Sequence, residues 1–319
     1  MPVTVAVTGA DGFIGTNLCA ALDKRGHEVA RIVRRRQGCG GDRRVVCDLA
    51  DSDCLEAVLS GADAVVHLAG RAHVLRETEA RPEVAFQRAN VDATSRLAEA
   101  AKRAGVRRFV FVSSIGVNGN QTFDAPFTES DAPAPVEPYA MSKLRAEQAL
   151  RLVGEGSGLE VVVVRPPLVY GPGAKGNFLK LLSLVESGIP LPLASLKNRR
   201  SLLGVENLAE LLALCVETPA AAGELLLAAD PEVHSTPELI EAIAKAMGRS
   251  SRLFSFPAQA LRIAARLAGV EAQFCKVCAS LEVCSDRARH VLGWNPSLSF
   301  DEGIVRTVAW FRMRRNVAA

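Results

Sequence analysis

The chain has 319 residues, 49% of them apolar, and a formal net charge of +3, enough for a sizeable core in one large domain or a domain with a smaller lobe. That balance excludes a nucleic-acid footprint: Arg34, Arg35 and Arg36 form the one tight cationic cluster near the N-terminus, and aromatics at 5% are too few for base-stacking platforms. No apolar run approaches the ~20 residues of a membrane span, and eight scattered cysteines suit reduced thiols better than a disulfide framework, so a cytoplasmic protein without membrane or nucleic-acid partners is expected.

In chain order, Val3-Thr4-Val5-Ala6-Val7 reads as a strand rather than a charged leader. A helix over 12–25 follows, then a strand over 28–33. Further short apolar runs lie at 45–47, 64–67, 108–112 and 161–164, separated by helical patterns, notably 84–104 and 139–152. Strands alternating with helices imply right-handed crossovers and an α/β fold with a Rossmann-type, doubly wound parallel sheet. After Arg165 the texture changes. Prolines cluster at 166, 167, 172, 190 and 192, and helices are expected at 178–186, 206–216, 237–247 and 257–267. The expected division is a nucleotide-binding domain over 1–170 and a smaller, mostly helical substrate-binding lobe over 171–319. Residues 223–228 could return a strand to the main sheet.

The first strand runs into Thr8-Gly9-Ala10-Asp11-Gly12-Phe13-Ile14-Gly15, after which a helix begins. Such a turn aims backbone N–H groups and a helix N-terminus at a pyrophosphate. Gly9 allows the turn, Gly12 admits the phosphate and Gly15 lets helix and strand pack closely. Gly9, Asp11, Gly12, Phe13, Ile14 and Gly15 are therefore expected to cradle a dinucleotide. Asp48, beside Leu49, ends the short strand at 45–47; its carboxylate can accept a hydrogen bond from an adenine amino group or cap the next helix, and both can hold at once. Leu68, Ala69 and Gly70 close the following strand with small residues that leave room for a ribose or a flat ring. His67 beside them reads as packing.

Tyr139-Ala140-Met141-Ser142-Lys143 opens a helix just past a proline-rich loop. The i, i+4 spacing puts phenol and ammonium on one face. A phenol near pKa ~10 is a poor acid or base at neutral pH; a neighbouring cation is expected to lower that value and make Tyr139 usable for proton transfer. With only two tyrosines in the chain, a chance pairing with Lys143 is improbable. Ser113-Ser114-Ile115-Gly116 ends the strand at 108–112, at the ligand-binding edge of the sheet.

Together with Arg165-Pro166-Pro167-Leu168-Val169-Tyr170-Gly171-Pro172 and Leu292-Gly293-Trp294-Asn295-Pro296, these motifs resemble the extended short-chain dehydrogenase/reductase family over nearly the whole chain. The likeness is strongest to its nucleotide-sugar epimerase, dehydratase and 4-keto-reductase branch. The resemblance implies that Tyr139 is the acid/base, that Lys143 is its electrostatic partner and ribose ligand, and that Ser114 hydrogen-bonds the reacting oxygen. It implies that Asn90 steadies the site, that Leu49 and Pro166 lie beside the cofactor, and that Asn177 and Arg200 grip the nucleotide of a nucleotide-diphosphate sugar. For Arg200, a place in a surface Arg199-Arg200 pair is the alternative. A homodimer through the helices at 84–104 and 139–152 is also implied.

Two departures from the family pattern bear on the reaction. Ile115 and Gly116 stand where dehydratases place an acidic pair, which argues against water elimination. Val33, followed by Arg34 and Arg35, stands where NAD-using epimerases end the second strand with Asp. Loss of the acid and gain of arginine favours NADP(H), with NAD(H) possible. Hydride transfer at C4 in a 4-keto-sugar reductase is thus the leading expectation, a UDP-sugar 4-epimerase the alternative, and a non-catalytic dinucleotide sensor a remote third. Cys275-Lys276-Val277-Cys278 with Cys284 and His290 follows no familiar zinc spacing, and no metal is expected.

Overall fold

The computed structural model describes residues 2–34, 44–49, 55–72, 81–267, 269 and 271–318, without the side chains of 258, 264, 272, 273, 275 and 316–318. The strands among these are β1 (Thr4–Thr8), β2 (Glu28–Val33), β3 (Arg44–Val46), β4 (Ala64–His67), β5 (Arg108–Val112), β6 (Glu160–Arg165), β7 (Leu168–Tyr170), β8 (Arg200–Gly204), β9 (Leu225–Leu227) and β10 (Val233–His234). The helices are α1 (Phe13–Lys24), α2 (Leu55–Leu59), α3 (Pro82–Phe86), α4 (Ala93–Arg103), α5 (Pro138–Gly154), α6 (Gly176–Ser187), α7 (Val205–Glu217), α8 (Thr236–Ala246), α9 (Ala258–Leu267), α10 (Glu271–Cys278), α11 (Asp286–Leu292) and α12 (Phe300–Ala318).

Seven strands form one sheet in the order β3-β2-β1-β4-β5-β6-β9, every neighbouring pair parallel. Strand order reverses between β1 and β4, the switch point at which open α/β sheets open a crevice for a ligand. Alternate side chains supply the two cores. Val5, Val7, Val66, Val110 and Val164 meet Leu18 and Leu22 of α1 and Leu208 and Leu211 of α7. Ala6, Val65, Phe109 and Phe111 meet Leu97 and Ala101 of α4 and Ala146 and Leu150 of α5. This two-sided burial is why the strands read as continuous apolar runs.

The strand return considered at 223–228 is β9, which pairs with β6. A small sheet, β10-β8-β7, was not evident in the sequence. Its strands are only two to five residues long, and prolines flank β7, so they carry too little periodicity to register. Helices α6, α8 and α12 enclose it around Tyr170, Phe178, Ile243, Phe300 and Ile304. A buried knot ties this lobe together. The Asp230 carboxylate accepts from the Gly204 amide at 2.8 Å, Asn207 Nδ2 at 2.8 Å and the Tyr170 hydroxyl at 3.2 Å. Burial pushes the Asp230 carboxyl up while those donors pull it down. A second clasp reaches the main sheet: Phe127 N donates to Glu282 O and Cys284 N to Phe127 O, zipping the loop after β5 to residues 282–284.

The tightest backbone approach is in the first turn. Gly9 has φ 68°, and its amide donates to Ile32 O at 3.1 Å. A Cβ at Gly15 would stand 2.2 Å from the Gly9 carbonyl oxygen and 2.8 Å from Ala10 Cα. Gly15→Ala must therefore move backbone, and we expect it to lower unfolding free energy by about 1–3 kcal/mol in urea titrations. Gly26→Ala, where φ is 81° and nothing lies within 4 Å, is strained only locally and should cost less. Equal losses for the two would mean that the turn is not packed as described.

Candidate active site

The carboxyl ends of β1, β4, β5 and β6 meet at one edge of the sheet, and most of the residues expected to act lie there. After β1, α1 begins at Phe13 with Gly12 as its N-cap and no side chain capping it, so its first amides are held by no side-chain cap. Gly12 N donates to Gly9 O at 2.8 Å, fixing the turn, and Asp11 turns its carboxylate toward Arg44, 4.0 Å away. The Leu68 and Ala69 amides both donate to Thr8 Oγ1 at 3.2 Å, which clamps the 68–70 segment against the glycine-rich turn.

His67 organises what lies beneath. Fully buried, it bonds Thr8 Oγ1 through Nδ1 at 2.7 Å and Thr94 Oγ1 through Nε2 at 2.9 Å, and Thr94 donates to Asn90 O at 2.6 Å. Burial, with the nearby Lys143 charge, pushes its pKa down to about 3, so it is a neutral strut. The expected helix over 84–104 is present without a gap but is not α-helical throughout. It consists of α3, a π-helical turn over Gln87–Asp92, and α4. The wide turn carries Asn90, buried to 1% exposure, whose Nδ2 donates to Ser142 Oγ at 2.9 Å and to Arg71 O at 3.0 Å. Ser142 in turn donates to Tyr139 O at 2.7 Å, so Asn90 anchors the first turn of α5.

Tyr139 and Lys143 both project from α5 into this region. The Tyr139 ring packs 6.2 Å from Phe86, and Lys143 Nζ donates to Val112 O at 2.8 Å, 4.5 Å from the Phe111 ring centre. A Cβ at Gly70 would lie 3.7 Å from that Nζ, so the ammonium borders the 68–70 segment as a ribose ligand requires. The expected lowering of the phenol by Lys143 does not occur. Burial raises Tyr139 to about 12 and lowers Lys143 to about 8, with Glu147 pulling the lysine back up. The reason is that both groups are desolvated and the ammonium is engaged with Val112 O. Tyr139 is thus protonated at neutral pH, as an ordinary phenol also is. Ser114 caps the 3-10 turn Ile115–Val117 and accepts from Gly116 N at 3.2 Å, leaving its hydroxyl hydrogen to donate elsewhere.

Other expected residues lie farther out. Pro166 is buried and its carbonyl accepts from Ile115 N at 2.9 Å. Val33 is buried at the end of β2; Arg34 beyond it is exposed, as is Asp48 after β3, with Leu49 half-buried; Arg35 lies outside the described residues. Asn177, in the first turn of α6, is exposed. Arg200 donates to the carbonyls of Lys276 at 2.7 Å and Ala279 at 2.9 Å, and burial lowers its pKa. It is bridged to Leu281, beside the strip that clasps Phe127, and is tethered rather than one of a freely solvated pair. Among the described residues, neither Asn177 nor Arg200 bonds to Ser114, Tyr139 or Lys143, and no group of three or more His, Cys, Asp or Glu is arranged to hold a metal. Cys19, Cys47, Cys215, Cys278 and Cys284 are in no disulfide.

Four residues of this region, Ser113, Asn118, Glu147 and Arg165, form a network to which no motif assigns a role. Ser113 donates to Glu147 Oε1. Arg165 grips the same carboxylate through Nε at 3.0 Å and Nη2 at 2.5 Å, and donates to Asn118 Oδ1 at 2.9 Å. The one available signal was Glu147, four residues after Lys143 and eight after Tyr139 on the same helical face.

A glycine-rich turn at an uncapped helix N-terminus, Tyr139 and Lys143 one helical turn apart, and a hydroxyl at a central strand end are the elements of a dinucleotide-dependent oxidoreductase-type site on a Rossmann fold. Sequence comparison agrees: the model of the NAD dependent epimerase/dehydratase family matches residues 5–227, and the chain belongs to that family of enzymes. A UDP-glucose 4-epimerase of Vibrio cholerae is 35% identical over 320 residues, covering 99% of this chain and 98% of the relative. A ceramide reductase of Caulobacter vibrioides is 28% identical, covering 97% and 94%. Among solved structures, MoeE5 in complex with UDP-glucuronic acid and NAD superposes with TM-score 0.78 at 28% identity, covering 98% of this chain and 99% of that one. The NAD complex of a Thermus thermophilus UDP-glucose 4-epimerase gives 0.77 at 26%, covering 97% and 99%. No described helix is long and apolar enough to cross a membrane.

Tyr139→Phe removes only the transferable proton. Turnover should fall by on the order of 10²–10⁴ while dinucleotide affinity, read by fluorescence titration, hardly changes. Lys143→Ala should damage both. Near-normal turnover in Tyr139→Phe would remove Tyr139 from the chemistry.

Proposed function

We propose that the enzyme moves hydride at C4 of a nucleotide-diphosphate sugar, in the reductive direction, as a 4-keto-sugar reductase. The supporting observation is geometric: Tyr139 and Lys143 stand one helical turn apart on α5, and Lys143 Nζ is held 2.8 Å from Val112 O, at the end of the strand that leads into Ser114. The uncapped N-terminus of α1, the glycine approaches and the ammonium beside Gly70 fit a nicotinamide dinucleotide, which when bound supplies the hydride. Ser114 donates a hydrogen bond to the 4-keto oxygen and polarises it. As C4 gains the hydride, negative charge grows on that oxygen and Tyr139 passes it the phenolic proton. Lys143 stabilises the phenolate left behind, and solvent restores its proton. In this reading the parts of 171–319 outside α7 and β9, which belong to the main sheet's core, act as the substrate lobe, with Asn177 and Arg200 toward the diphosphate and base.

The 4-epimerase reading uses the same residues in both directions, with Tyr139 first taking and then returning the proton. It is favoured by the Vibrio relative and by the NAD carried in the neighbouring complexes. Cofactor choice separates the two, because a reductase exchanges its hydride donor every turnover and an epimerase gains from one that never leaves. Val33 removes the carboxylate that repels a 2′-phosphate, and Arg34 offers a charge-assisted bond of ~1.5–3 kcal/mol. We expect roughly ten- to hundredfold preference for NADPH over NADH, reduced in Arg34→Ala, together with cofactor oxidation when a UDP- or dTDP-4-keto sugar is added. Tightly retained NAD, or equal affinities that Arg34→Ala leaves alone, would move the assignment to the epimerase.

A homodimer belongs to the same proposal. Val84, Met141 and Leu152 are exposed apolar side chains on α3 and α5, set among the exposed Glu83, Arg145, Gln148 and Arg151. Wild type should sediment as a dimer at micromolar concentration, and Met141→Asp with Leu152→Asp as a monomer. A monomeric wild type would refute it.

A further inference from the structure

Beneath the catalytic face lies a cluster of charge that the chemistry above does not use. Glu147 is 9% exposed and Arg165 3%. The carboxylate takes both Arg165 donors on one side and the Ser113 hydroxyl on the other. Arg165 also holds Asn118 Oδ1 at 2.9 Å, and Asn118 Nδ2 donates to Thr128 O at 3.1 Å. One connected set therefore spans the end of β5, the middle of α5, the end of β6 and the loop beyond the 3-10 turn. Ser113 is the neighbour of Ser114, and Glu147 stands one helical turn beyond Lys143.

We propose that the Glu147–Arg165 pair is the positioning device of this site: it fixes the strand end bearing Ser114 against the helix bearing Tyr139 and Lys143, and its carboxylate sets how much positive charge Lys143 keeps. The proposal rests on the Tyr139/Lys143 assignment but on no particular sugar. The groups facing the Lys143 ammonium are Tyr139 and Glu147 on its own helix, the Phe111 ring and Val112 carbonyl of β5, and His67 of β4, with Arg165 of β6 behind Glu147. Tyr139 is protonated and His67 neutral at pH 7. Among the described residues, Glu147 is the carboxylate that opposes the burial of this ammonium. Arg165 moderates it, since a carboxylate gripped by a guanidinium attracts a second cation less.

This dictates two shifts of opposite sign. With [13Cε]-lysine labelling and the Lys143 resonance assigned by its loss in Lys143→Arg, the wild-type ammonium should titrate near pH 8. Glu147→Gln should move that midpoint down by roughly one unit, and Arg165→Gln should move it up. In cofactor-binding titrations the alkaline loss of affinity should follow each midpoint. A merely structural pair would lower stability in both variants and leave the midpoint in place. If Glu147→Gln does not fold, Arg165→Gln alone decides: an upward shift supports the proposal and an unmoved or lowered midpoint overturns it. If instead Arg165→Gln does not fold, the downward shift in Glu147→Gln decides in the same way. Should neither fold, Ser113→Ala, which loosens the carboxylate while both charges remain, must move the midpoint, and an unchanged value overturns the proposal. Failure of every sugar as substrate, with the two shifts present, would sink the functional reading and spare this one.

Discussion

Seven parallel strands deliver their carboxyl ends to one edge, and that edge is where the glycine-rich turn, Ser114, Tyr139 and Lys143 are gathered. Parallel pairing forces a crossover after each strand, so helix N-termini and loop residues collect on the same side. Thr8, His67, Val112 and Arg165 are all last residues of their strands. Their side chains or carbonyls hold, respectively, the 68–70 segment, the π turn, the Lys143 ammonium and Glu147. The sheet thus serves as a template that fixes four otherwise distant segments within hydrogen-bonding reach of one another.

Two hydrogen-bonded relays run below that edge. The neutral one passes from Thr8 through His67 and Thr94 to Asn90, and Asn90 continues through Ser142 to the backbone of Tyr139. The other is ionic, from Ser113 and Glu147 through Arg165 to Asn118. The first ties the phosphate-binding turn to α5 and the second ties the strand bearing Ser114 to the same helix. Burying Lys143, Glu147 and Arg165 together costs stability that an apolar core would not. The return is a tyrosine that stays protonated and a lysine poised near neutrality, both held at fixed places.

Which parts of this were legible beforehand follows from the range of the interactions. The strand–glycine turn–helix, the Tyr139/Lys143 pair and the serines after β5 are local patterns, because sterics at Gly9 and Gly15 and the pitch of one helix act within a few residues. Glu28–Val33, Ala64–His67 and Arg108–Val112 were readable to the residue because buried parallel strands are mostly apolar. The small β7/β8/β10 sheet and the π turn within the 84–104 helix were not. The strands are too short to carry a period, and the wide turn exists to satisfy Asn90 against Arg71 and Ser142, which are remote in sequence.

Electrostatics divides along the same line. From composition and spacing, a lysine four residues from a tyrosine reads as a cation that lowers a phenol. Burial reverses the sign, raising Tyr139 and lowering Lys143, since desolvation depends on every atom packed around a group. The sequence by itself determined the sheet, its phosphate-binding turn and the Tyr/Lys/Ser set, all consequences of backbone sterics and periodicity. Only the tertiary structure decided that Glu147, Arg165, Ser113 and Asn118 form one network and which way burial shifts Tyr139 and Lys143. Those depend on contacts across 18 to 47 residues of chain, which no local pattern encodes.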